Sequence, residues 1–158
     1  MTELLRQVDA DARRRPTPCD EWTVQELVDH VVATPTRFAQ MLRGESVDWA
    51  APTPPAGADP ARAFRSHADE LVRTWQQSPT AGGVDWQCAE IAVHTWDLAT
   101  ALGRPTAGLD PEPAERGLAF MQASLTEDKR SPVFGPEQPA PDGADAYQRI
   151  AAFAGRAA

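Results

Sequence analysis

Apolar residues recur along this chain at three- and four-residue steps and almost nowhere alternate, so the pattern predicts helices and no sheet. Residues 2–15 read as a first helix, with Leu4, Leu5, Val8 and Ala12 at helical spacing and Pro16 as its limit. A second helix starts at Thr23, where Glu26 three residues on completes a reciprocal capping box. Val24, Leu27, Val28, Val31, Val32, Phe38 and Leu42 form its stripe, and Gly44 supplies a stop. Pro35 falls inside that stripe; it lacks a backbone donor and crowds the preceding turn, which predicts a kink or a break. WAAPTPPAGADP at 49–60 has the composition of a linker.

A third helix is expected at about 60–77, with Phe64, Ala68, Leu71, Val72 and Trp75 on one stripe and Pro79, Gly82 and Gly83 ending it. A fourth, at about 84–103, is apolar all round and should be buried. Two shorter helices, near 111–126 and 144–155, flank the Pro-rich stretch SPVFGPEQPAPDG. The expected fold is all-α, a helical bundle of four principal helices with short C-terminal helices. One domain spanning 1–158 is expected, with about 104–158 as an extension packed on the bundle.

Composition narrows the classes of function. A chain of 158 residues with 42% hydrophobic content can bury one sizeable core. Its 15 basic and 23 acidic residues give a net charge of -8, which disfavours nucleic acid and anionic membranes as partners. The one basic run, Arg13 to Arg15, suits the end of the first helix. Two cysteines, Cys19 and Cys88, and no apolar leader or span predict a cytoplasmic protein with reduced thiols.

The fourth helix carries the candidate chemistry. At 100° per residue His94 lies about 40° around the axis from Glu90, and Asp97 about 20° the other way. Three ionisable side chains thus share one narrow face of a buried helix, where an unpaired carboxylate is costly unless a cation or hydrogen bonds compensate it. Glu and His one turn apart can aim two ligands at one metal ion. Spacing alone leaves the third ligand open between His30 and His67, and leaves open a purely structural hydrogen-bonding role for the group.

Two segments carry a resemblance. PTPCDEWTVQELVDHVV at 16–32 resembles the opening T-P-C-x-x-W-x-V motif, with its following helical histidine, of the mycothiol-dependent maleylpyruvate isomerase family. AEIAVHTWDLATALGRP at 89–105 resembles the same family's E-x-x-x-H-x-W-D-L-A signature. ERGLAFMQASL and VFGPEQPAPDGADAYQRIAAFAGR look like the tail of a short actinobacterial subfamily. The resemblance implies a DinB-like four-helix bundle and a metal, usually zinc, held by His30, Glu90 and His94. It favours His30 over His67; Asp97 matches the motif without being a ligand, and is either a hydrogen-bonding partner behind a ligand or a structural hydrogen-bonding group. Trp96 is expected to pack, Trp22 and Thr23 to form the helix entrance, and Cys19 to be a packing residue. Cys88 lies roughly opposite the Glu90–His94 arc.

The implied activity is that of a thiol-using enzyme. Two neutral imidazoles and one carboxylate leave zinc with a charge of about +1 and an open position at which a thiol is activated. The expected function is a mycothiol-dependent S-transferase or cis-trans isomerase acting on a small electrophile, with the transferase favoured. Its partners would be that electrophile and the thiol, with a homodimer allowed. The alternatives are a zinc hydrolase and a metal-free degenerate bundle that binds a small ligand or a protein. The departures are a short QQSPTAGGVDW segment, a late first helix, Pro35, and no counterpart of the isomerase's additional C-terminal domain.

Overall fold

The computed structural model describes residues 1–19, 22–77, 83–130 and 133–157. Pro79 and Gly82, expected to end the third helix, lie outside them, as do Ser131 and Pro132 of the Pro-rich stretch. The fold is all-α: six helices and no strand among the described residues, in two compact units. The first unit comprises Met1–Arg15 and Thr23–Gly82, the second Pro16–Trp22 and Gly83–Ala158.

In the first unit α1 is only Thr2–Leu5, and the expected helix over 2–15 does not continue. Asp9 is the reason: its carboxylate accepts the backbone N–H groups of Asp11 and Ala12, a local bond that competes with the helical ladder. Residues Ala12–Arg14 form a single 3-10 turn instead. Helix α2 (Val24–Leu42) starts on the expected box, with the Glu26 carboxylate 2.7 Å from the Thr23 backbone nitrogen and the Thr23 hydroxyl facing the Glu26 N–H. Thr23→Ala should remove this cap and cost about 1 kcal/mol, read as a lower urea midpoint at constant slope.

Pro35 does not break α2, which runs unbroken from Val24 to Leu42. Val31, Val32, Thr34 and Pro35 itself are all buried there, and their packing offsets the lost hydrogen bond. Helix α3 (Pro60–Gln77) begins with Pro60 in its first turn and the Asp59 carboxylate accepting the Arg62 N–H at 2.9 Å. Of its expected stripe, Phe64 is buried but Val72 is 54% exposed, so the apolar face is narrower than the spacing suggested. The 49–60 segment is not a loose linker. Arg37 donates to the Ala51 carbonyl and the Thr53 hydroxyl, Trp49 packs on Phe38, and Asp29 accepts the Ala56 N–H.

In the second unit α4 (Val84–Ala101) packs on α5 (Glu112–Ser124) and α6 (Ala146–Phe153). The contact with α5 is close because Gly117 has no side chain: a Cβ there would stand 2.6 Å from the Ala89 Cα. Trp96, Met121, Tyr147 and Ile150 fill the core around it. Helix α6 opens on a second capping box, Asp145 with Gln148. It ends in a Schellman turn: Arg156 N–H bonds to the Ala151 carbonyl, Gly155 N–H to the Ala152 carbonyl, and Gly155 has φ +89°. No helix among the described residues is long and apolar enough to cross a membrane.

Candidate functional site

One face of α4 carries the chemistry within the second unit. Helical spacing sets Glu90, His94 and Asp97 side by side; His94 and Asp97 are buried and Glu90 is half-buried. The His94 Nδ1 lies 3.0 Å from the Asp97 Oδ2, and its Nε2 lies 3.4 Å from the Glu90 Oε1. Asp97 is fully buried, and Arg156 supplies its cation, with Nε 3.1 Å from Oδ1 and Nη2 3.3 Å from Oδ2.

The segment Pro16–Trp22 closes over the same ring. The Trp22 N–H bonds to the Cys19 carbonyl, the Cys19 N–H to the Thr17 hydroxyl, and the Thr17 N–H to the Trp22 carbonyl. This turn stacks the Trp22 indole on the His94 imidazole, with centroids 5.9 Å apart and planes at 23°. It also brings the Cys19 sulfur, a ring nitrogen of His94 and a carboxylate oxygen of Asp97 within 4.8 Å of one another. Cys19 therefore borders the site, which its place in the sequence did not reveal.

Burial acts to lower the His94 pKa, but the Glu90 carboxylate and the hydrogen bond to Asp97 outweigh it and push the value from 6.5 up to about 9. With Nδ1 facing Asp97, Nε2 is the ring nitrogen on the Glu90 side, where a metal ion would replace its proton. Two zinc ligands at ordinary bond lengths stand about 3.3–3.5 Å apart in a tetrahedral site, which is the separation found between Nε2 and Oε1 here. Glu90 and His94 are thus spaced as two ligands of one metal ion would be.

The other expected candidates fall as follows. His30 is half-buried on α2 in the first unit. His67 is half-buried on α3, and its Nδ1 meets the Val32 carbonyl at 2.8 Å, a bond that ties α3 to α2. Cys88 is half-buried, and burial pushes its thiol up against the opposing pull of Arg116, so it is not an activated thiolate. Trp96 is buried in the core. Sequence reasoning missed Arg156; the one signal pointing to it is a fully buried carboxylate on α4 that requires a cation.

Two proteins from different strains of Mycobacterium tuberculosis, both described as uncharacterised, are each 32% identical to this chain over 164 residues. The match covers 97% of this chain and 90% of each relative. No solved structure matches it significantly. The family model described as the mycothiol maleylpyruvate isomerase N-terminal domain matches residues 1–99, a stretch that includes Trp22, His30, Glu90, His94 and Asp97, and the chain belongs to that family.

Proposed function

We propose that this chain is a metal-dependent, thiol-using enzyme in which His30, Glu90 and His94 hold one divalent ion, zinc by preference. The observation that supports it most is the state of His94: Nδ1 committed to Asp97, Nε2 directed toward Glu90 at zinc-ligand separation. His30 is assigned as the third ligand from the family motif. A bound zinc supplies a Lewis acid that favours the thiolate of a low-molecular-weight thiol, for which mycothiol is the family's candidate.

The residues of the chain then divide the work. Glu90 contributes the one negative charge among the ligands, so the ion keeps a charge of about +1 to draw a thiolate. Asp97 fixes the tautomer and the rotation of His94. Trp22 covers one face of the imidazole and keeps water from it. A thiolate presented there would add to one carbon of a C=C bond conjugated to a carbonyl, forming a C–S bond as the π pair moves onto the carbonyl oxygen as an enolate. If the enolate is then protonated at carbon and the C–S bond persists, the enzyme is an S-transferase, the reading we favour. If the new C–C single bond rotates and the enolate re-forms the C=C bond with loss of the thiolate, it is a cis-trans isomerase.

Elemental analysis of untagged protein should find about one zinc per chain, and turnover of small electrophiles should require added thiol. Zinc with thiol-independent hydrolysis would instead identify a hydrolase. Protein that takes up no stoichiometric metal, even when incubated with zinc and freed of the excess, would remove the proposal in favour of a ligand- or protein-binding bundle.

A further inference from the structure

Asp97 is the most deeply buried acidic group on α4, and a buried carboxylate holds a fixed orientation only where its oxygens are bonded. One oxygen, Oδ2, faces the His94 Nδ1 at 3.0 Å. Both oxygens are held from behind by the fork of Arg156, whose side chain is itself only 11% exposed. A guanidinium fork sets the plane of a carboxylate as well as its position, which a single point charge does not.

The fork is itself held in place. Arg156 follows the Schellman turn of α6, at which Gly155 adopts φ +89° and its backbone meets that of Gly135 so closely that a Cβ would stand 2.8 Å away. Arg130, also buried, donates to the carbonyls of Phe153 and Gly135 and so ties the two glycine segments together. The turn therefore delivers Arg156 to Asp97 from a braced position.

We infer that Arg156 is a positioning residue for the metal ligand His94, acting through Asp97. It fixes the carboxylate plane from which the imidazole is aimed, and it offsets the Asp97 charge so that Glu90 alone sets the charge at the ion. Arg156 lies beyond residues 1–99, the stretch matched by the family model, so the segment after α4 takes part in the site. The inference rests on the metal reading proposed above.

The test is zinc affinity, measured by competition with a chromogenic chelator, with metal-free melting curves as a control for folding. Arg156→Gln should bind zinc about 10–100-fold more weakly than the wild type. Arg156→Lys, which keeps the charge but not the fork, should fall between them. In an Asp97→Asn background Arg156→Gln should cost nothing further. Wild-type affinity in Arg156→Gln overturns the inference alone, as do losses that multiply in the double variant. Should Arg156→Gln fail to fold, a Lys variant equal to the wild type overturns it equally. A wild-type protein that binds no zinc overturns the metal reading and this inference together.

Discussion

His94→Ala should strip the protein of its zinc and abolish thiol-dependent turnover, with a loss of metal affinity of more than about a hundredfold. Partners that merely orient a ligand are already worth about 10–100-fold, and His94 is proposed as a ligand itself. The pH dependence gives the same residue a second signature. In the metal-free chain the His94 pKa stands at about 9, above its ordinary 6.5. Its contribution to stability is therefore fully present below about 6.5 and is lost as pH rises through about 9. Zinc must displace that proton, so apparent zinc affinity should climb with pH up to about 9 and level off above it. Calorimetry in buffers of different ionisation enthalpy would count the protons released. Zinc retained at one per chain in His94→Ala would refute the assignment; Glu90→Gln, at a less buried position, repeats the test if the first variant does not fold.

Gly117→Ala should lower stability by about 1–3 kcal/mol, the usual range for overpacking a filled core. The added Cβ would lie 2.6 Å from the Ala89 Cα, 2.7 Å from the Ala89 nitrogen and 3.0 Å from Ile150 Cδ1. Two of these atoms are backbone, so relief requires α5 to move off α4, or α4 to bow at the residue before Glu90. Denaturant unfolding of the metal-free variant measures the first effect. A zinc affinity weakened alongside it would show that α4 gave way. An unchanged midpoint would mean that the α4–α5 spacing is slacker than these distances.

The start of α2 is legible in the sequence because its signal lies within four consecutive residues. Thr23 with Glu26 announces its helix through bonds spanning three residues, and the structure has it there. The first helix was misjudged because the apolar spacing of Leu4, Leu5, Val8 and Ala12 says nothing of the Asp9 carboxylate that competes for the backbone. At Pro35 the expected break is absent: the local penalty is visible in sequence, whereas the burial that offsets it is not.

The site shows the same division. Glu90, His94 and Asp97 could be read as one face because a single helix fixes their angles. Arg156 could not, since its place opposite Asp97 depends on how α6 ends. Nor could Cys19 and Trp22, whose segment precedes α2 in sequence but belongs to the unit built on α4.

That interleaving has a consequence for the order in which the protein is made. A ribosome releases Trp22 long before the imidazole it covers, and Asp97 emerges 59 residues ahead of the arginine that pairs with it. Nothing synthesised up to α4 can finish the second unit. Its buried carboxylate must wait, hydrated or held by His94 alone, until α6 has formed and turned. The ordered environment of His94 is therefore among the last things this chain acquires.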